Sequence, residues 1–368
     1  MSTSSDALTF VYKVVGGIDV HLDLYPPHRL PATGSAEVPA LIYFHGGALT
    51  VGNRRSWFPT WLHKRVTNLN IAFISVDYRL IPPSTGHDIL EDIQDLFRFL
   101  GDDINGAIQN EWPAQSRLGH SFRINKHAIA VSGSSAGGLC AYLAAMHASP
   151  RPKAVLSLYG MGGDMVTPHY LSPKFVPFFR GREILDPQGF TEYLYPESTK
   201  LPTIADSPLA YHPPTYRIPG YPANPRMLLG RLYLQLGTFL DYYTGCHNPS
   251  LSASLRDLLS ANDQHVDLQC SASRSIPETH RLLFPQYSVS AGFPPTLLIH
   301  GSADTAVLVG ESQNLHNLLL GIGTRSELVI VEGKEHSFDY EPTADEEFGQ
   351  PGGLFDRVAK FIEETLNA

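Results

Sequence analysis

Eight short runs rich in β-branched and aromatic residues predict strands. They are Phe10–Val15, Asp19–Leu24, Ala40–Phe44, Ile71–Asp77, His127–Ser132, Ala154–Tyr159, Pro295–His300 and Ser326–Val331. The later runs are almost continuously apolar rather than alternating, the pattern of parallel strands buried on both faces. The first two are separated by Gly16-Gly17, which predicts a hairpin at a sheet edge. Between the runs the period changes to that of a helix. Asp88–Leu100 places Ile89, Leu90, Ile93, Leu96, Phe97 and Leu100 on one stripe, and Leu354–Leu366 repeats the pattern. Asp88, Glu91 and Asp92 fall at the start of the first helix, where its dipole favours anions. Strand–helix alternation predicts an α/β chain with a mostly parallel sheet flanked by helices.

The rhythm stops between residues 161 and 290. This segment is dense in proline and aromatic residues, and its one good helix pattern is Pro225–Tyr243, carrying Leu228, Leu229, Leu232, Leu236, Phe239 and Leu240. A structureless loop of this length is implausible inside a compact domain. The division expected is a core made of residues 1–160 and 291–368, with 161–290 inserted as a mainly helical lid.

Composition narrows the class. Among 368 residues, 43% are hydrophobic and 17% charged, too few charges for a disordered chain. Net charge is −9 and no Lys/Arg-rich run occurs, so nucleic acid is not an expected partner. The most apolar stretch, Ala128 to Met146, is interrupted by Gly133, Gly137 and Gly138, and no membrane span is expected. The first residues have neither a basic start nor an apolar run, so no signal peptide is expected. Cys140, Cys246 and Cys270 are too few for a disulfide framework and fit a reducing compartment, so a cytoplasmic location is expected. No His-Glu-x-x-His or paired-cysteine spacing suggests a metal, and no cofactor is expected.

Three motifs carry chemistry. Gly133-Ser134-Ser135-Ala136-Gly137-Gly138 follows a strand and opens an apolar helix. Gly-x-Ser-x-Gly in that context is a nucleophile elbow, in which Ser135 stands at the tip of a strained turn above the sheet. His45-Gly46-Gly47 directly follows another strand. Glycines there let backbone N–H groups approach an oxyanion, so Gly46, Gly47 and Ala136 are the expected oxyanion-hole donors. A serine also needs a base, and the base an orienting acid, each expected past a strand end in the order serine, acid, base. Asp304 lies just past Leu297–His300, and His336 just past Leu328–Val331. The remaining histidines are read as solvated or structural.

Together His45-Gly46-Gly47, Asp77-Tyr78-Arg79-Leu80, Gly133-Ser134-Ser135-Ala136-Gly137-Gly138, His300-Gly301-x-x-Asp304-x-x-Val307 and His336-Ser337-Phe338 resemble the α/β-hydrolases. Within them, the chain resembles the hormone-sensitive-lipase-like and arylacetamide-deacetylase-like esterases. The resemblance implies an eight-stranded sheet, a Ser135–Asp304–His336 triad and hydrolysis of carboxylic esters of small or medium acyl groups. The sequence departs from that pattern in three places. Ala48 stands where a third glycine is usual, Ser134 where Asp is frequent, and Ile81-Pro82-Pro83 where Ala-Pro-Glu usually follows Asp-Tyr-Arg-Leu. The cap of that family also draws on a long amino-terminal extension, whereas here the part before the sheet is short and the internal insert is large.

The expected cycle has His336 take the Ser135 proton, the serine oxygen attack a carbonyl, and water release the acid. The insert lies over the carboxyl edge of the sheet, so its aromatics and leucines predict an uncharged, fairly hydrophobic small-molecule ester or lactone as substrate. The chain is expected to work as a monomer or homodimer. Three other functions remain open on these residues. They are an amidase, formamidase or peptidase on the same triad, acyl transfer or cyclisation in secondary metabolism, and a hydrolase-like receptor without catalysis.

Overall fold

The computed structural model describes residues 7–30, 35–115, 121–218, 220–260 and 268–367. The start of the chain, on which the leader expectation rests, and the side chain of Cys270 lie outside the described residues. Eight strands form one sheet: β1 Leu8–Val15, β2 Ile18–Tyr25, β3 Ser35–Phe44, β4 Ala72–Val76, β5 Ser121–Ser134, β6 Ala154–Leu158, β7 Thr296–Gly301 and β8 Ser326–Val331. Their order across the sheet is β1-β2-β4-β3-β5-β6-β7-β8. β1 and β2 form the antiparallel edge hairpin expected from Gly16-Gly17, with Val15 opposite Ile18. β2 runs antiparallel to β4, and every pairing from β4 through β8 is parallel.

The parallel strands read as continuous apolar runs because both faces are covered. Along β3, Leu41 and Tyr43 join the apolar cluster on one face, and Ile42 and Phe44 join the cluster on the other. The first face packs against Trp61, Leu62 and Val66 of the helix Thr60–Asn68 and against Phe355, Val358 and Ile362 of Leu354–Leu366. The second packs against Leu139 and Leu143 of Ala136–His147 and Ile89, Ile93 and Leu96 of Gly86–Asp102. Leu229, Tyr233 and Tyr243 of the insert belong to this second cluster, so its interior is continuous with the core.

Four details differ from the sequence reading. β8 is half-exposed because it is the far edge of the sheet, with cover missing on one side. β3 and β5 run longer than their apolar centres, since Ser35–Val38 pair with Ser121–Ile124 beyond an irregularity. Glu91 and Asp92 serve ion pairs rather than the dipole. The Arg79 guanidinium reaches Asp88, Glu91 and Asp92, and Lys13 reaches Glu91, Asp92 and Asp95. Finally, the expected helix Pro225–Tyr243 is two helices, Arg226–Leu236 and Phe239–Thr244. Gly237 breaks it with left-handed φ 64°, and a side chain there would lie 2.4 Å from the Leu171 carbonyl oxygen.

Between β6 and β7 the described residues hold helices and turns but no strand of the sheet. No helix among the described residues is long and apolar enough to cross a membrane.

Candidate active site

The loops that leave the carboxyl ends of β3, β5, β7 and β8 converge, as topology requires of parallel neighbours. β5 ends at Ser134, and Ser135 caps the helix Ala136–His147 with φ 54° and ψ −122°, a conformation that costs energy for any residue but glycine. The flanking glycines permit it. A Cβ on Gly133 would lie 2.0 Å from the Gly137 carbonyl oxygen, and one on Gly137 would lie 2.0 Å from that of Phe44. The turn is pinned from below by Ser135 N–H donating to Leu158 O at 2.9 Å and Met161 N–H donating to Ser135 O at 3.0 Å.

The loop after β3 wraps over this turn. Gly46 passes so close that an added Cβ would sit 3.4 Å from Ser135 Cβ. Gly47 has φ 107°, where a side chain would strike the Val51 carbonyl at 2.1 Å. His45 is buried beneath the loop, its ring stacked on Tyr78 at 4.4 Å and its Nδ1 2.7 Å from Gly46 O. Burial lowers the His45 pKa to about 4, which keeps the ring neutral. Tyr78 donates to His45 O at 2.8 Å, and Asp77 accepts from the Arg54 backbone and guanidinium, both at 2.6 Å. Asp77 and Tyr78 thereby brace the glycine loop at both ends.

Asp304 and His336 meet across the carboxyl ends of β7 and β8. His336 Nδ1 lies 2.6 Å from Asp304 Oδ2. Asp304 Oδ1 accepts the N–H groups of Ala306 at 2.9 Å and Val307 at 3.0 Å. Burial alone would raise the Asp304 pKa, but hydrogen bonds from His300 and His336 outweigh it and hold the carboxyl ionised, well below its ordinary value. His336 also meets the edge of Tyr159, with ring centroids 4.7 Å apart. Tyr159 in turn donates to the buried Asp339 at 2.6 Å, which takes a second bond from Trp61 at 2.9 Å.

A cavity of about 280 Å³ opens on this junction, and Gly46, Gly47, Ser135 and His336 all line it. Ala136 is buried at the head of its helix, one residue past Ser135. All six residues singled out in the sequence therefore lie at one place.

A family model described as alpha/beta hydrolase fold matches residues 41–210, the stretch from β3 into the insert. A structure of an esterase from Pyrobaculum calidifontis superposes with a TM-score of 0.56 at 19% identity, covering 99% of this chain and 86% of that one. The chain has the α/β-hydrolase fold. Among curated proteins, a probable carboxylesterase of a Phoma species is 27% identical over 41% of this chain. A non-reducing polyketide synthase of Penicillium brasilianum is 27% identical over 93% of this chain. The chain spans 46% of the length of the first and 13% of the second.

The loop after β3 accommodates Ala48 against the segment between β6 and β7. Ala48 has a left-handed φ of 53° although it is not glycine. Its methyl group occupies the space that Gly230 leaves, since a Cβ on Gly230 would lie 2.2 Å from Ala48 Cβ. Other residues of the site escaped the sequence reading. By sequence His300 groups with the solvated or structural histidines, yet its Nε2 lies 3.2 Å from Asp304 Oδ2 and 2.8 Å from Val307 O, while Nδ1 faces Ser312 Oγ at 2.7 Å. The signal available was its place in the His-Gly-x-x-Asp run. Glu311 is buried and accepts from Gly162 N–H and Tyr170 O–H, each at 2.6 Å, tying the start of the insert to the β7 side of the core. Burial raises its pKa to about 8. The cavity wall also departs from expectation. Met161, Tyr170, Leu234 and Phe239 supply the anticipated apolar surface, but Arg180, Arg182, Glu183 and Arg231 line it too.

Proposed function

We propose that this chain hydrolyses a carboxylic ester, or lactone, of small to medium size and largely apolar body through Ser135, His336 and Asp304. The observation that carries the reading is the 2.6 Å bond from His336 to an ionised Asp304 at the cavity that also receives Ser135. Asp304 fixes the imidazole tautomer with Nδ1 protonated, leaving Nε2 free to accept the serine proton. Ser135 attacks the carbonyl carbon and an acyl-enzyme forms as His336 protonates the leaving alcohol. Water then takes the place of the alcohol, His336 removes its proton, and the acid leaves with Ser135 restored. The N–H groups of Gly46, Gly47 and Ala136 hold the oxyanion, and the rigid glycine backbone keeps those donors aimed before the charge appears. Residues 161–290 act as a cap whose side chains select the substrate. A cytoplasmic setting fits the free thiols of Cys140 and Cys246.

Hydrolysis of p-nitrophenyl esters tests the reading. Ser135→Ala should lower kcat by about 10⁶ with the fold unchanged. Full activity in that variant would overturn the assignment.

A second reading, acyl transfer or cyclisation in secondary metabolism, is favoured by the match to the polyketide synthase over 93% of this chain. In it, another nucleophile replaces water at the acyl-enzyme. Product analysis with added alcohol or amine acceptors separates the two, since transfer gives a new ester or amide and hydrolysis gives only the acid.

A further inference from the structure

The cap helix Arg226–Leu236 sends Met227, Gly230, Arg231 and Leu234 to the cavity, residues that share one face of a helix. Gly230 abuts Ala48, so this face lies directly against the loop that carries Gly46 and Gly47. Arg231, the next residue, is 5% exposed, and its guanidinium is permanently charged. Nη2 donates to Glu183 at 3.0 Å. Nη1 is buried and has no hydrogen-bond partner among the described residues. A buried, charged N–H donor without an acceptor is costly in a folded chain and is found where a ligand supplies the missing oxygen.

The local charge points the same way. The chain as a whole carries −9. The described cavity lining has three arginines, Arg180, Arg182 and Arg231, against the single carboxylate Glu183, and Glu335 outside the lining lies 3.8 Å from Arg180 Nε. Arg180 and Arg182 sit in the exposed turn bridged by Phe178 and Arg182, where Gly181 has φ 65°. An acidic protein with a cationic pocket attracts anions to that pocket in particular.

We propose that Arg231 binds a carboxylate of the substrate through Nη1, so that the preferred substrate is an ester whose apolar body also carries a carboxylate. This deepens the esterase reading and rests on it. It amends the uncharged substrate expected from the insert's aromatic composition. The apolar wall takes the body of the molecule, Ser135 takes the ester carbonyl, and Arg231 fixes the far end. A neutral ester fits the same walls but leaves the guanidinium N–H unpaired.

The test is kcat/KM for two matched pairs. One pair is 4-nitrophenyl hydrogen glutarate and its methyl ester, with the carboxylate on the acyl side. The other is 4-acetoxybenzoate and its methyl ester, with the carboxylate on the alcohol side. The ratio of charged to neutral substrate is taken within each protein, so differences in folded fraction cancel. Wild type should favour the charged member of at least one pair by about tenfold or more. Arg231→Met should abolish that preference chiefly through KM, and Arg231→Lys should retain part of it. The proposal is overturned if wild type favours the neutral member of both pairs, or if the preference survives unchanged in Arg231→Met. Cleavage of the neutral members alone sinks this proposal and leaves the esterase reading standing. Cleavage of none of the four sinks both.

Discussion

The loops leaving β3, β5, β7 and β8 and the chain between residues 161 and 290 meet at one cavity, but they contribute to it differently. Besides the side chains of Ser135, Asp304 and His336, the core loops contribute backbone. Gly133 and Gly137 have backbone atoms 2.0 Å from where a Cβ would be, and Gly47 has one at 2.1 Å, so the path of the chain is over-determined. The insert contributes side chains: Met227, Arg231 and Leu234 from one helix face, and Tyr170 held by Glu311. Backbone geometry of this kind permits few residues, whereas a wall of side chains can be rebuilt without moving the loops beneath it. On the proposed function, reaction type belongs to the core and selectivity to the segment between β6 and β7.

Substitutions in each region test this division. The largest expected effect is in the core. Asp304→Asn leaves the packing intact but reverses the hydrogen bond that sets the His336 tautomer, and kcat should fall by about 10⁴. Ester hydrolysis by the purified variant checks it, and a loss below tenfold would remove Asp304 from its role. Next comes Gly137→Ala, whose methyl group would collide with the Phe44 carbonyl. Destabilisation of about 3 kcal/mol is expected from denaturant unfolding. A variant as stable as wild type would show that the elbow can yield.

Smaller effects follow at the joints between the regions. His300→Gln removes a buried partner of the charged Asp304. Loss of one such hydrogen bond, roughly 1.5–3 kcal/mol, should lower kcat about ten- to a hundredfold with KM little changed. Glu311 probes the tie between insert and core through pH. Its folded pKa is raised by burial from 4.5 to about 8, so its contribution is fully present below 4.5 and is lost as pH rises through about 8. Wild type should thus lose stability relative to Glu311→Gln across that window, as read from the two Tm values at each pH. A constant difference between them would mean that the Glu311 carboxyl is not held neutral. The smallest effect is expected at Phe175, 85% exposed on the insert. Phe175→Ser should change stability by less than about 0.5 kcal/mol and leave ester turnover unaltered.

The same division explains what could be read from the sequence. Ser135, Gly46, Gly47, Asp304 and His336 are legible because each follows an apolar run and obeys a local rule of turn chemistry or chain order. The break at Gly237 was less plain, since a glycine inside a helical stripe is tolerated unless something such as Leu171 O crowds it. Glu91 and Asp92 carried a misleading local signal. Beside a helix start they suit the dipole, but Arg79 and Lys13, distant in the chain, claim them. Arg231 was the least legible. On a helical wheel it falls opposite Leu229 and Leu236, where an arginine normally faces water. Here that face is covered by the β3 loop, because Gly230 lets the helix lie against Ala48. The contact joins residues more than a hundred positions apart and leaves no periodic trace.

The central claim is that Ser135 is a nucleophile activated by His336. A fluorophosphonate probe, followed by peptide mass mapping, tests it most directly. A single adduct on Ser135 is expected, forming rapidly in the wild type and nearly lost in His336→Ala. An adduct on another serine, or undiminished labelling of Ser135 in His336→Ala, would contradict it.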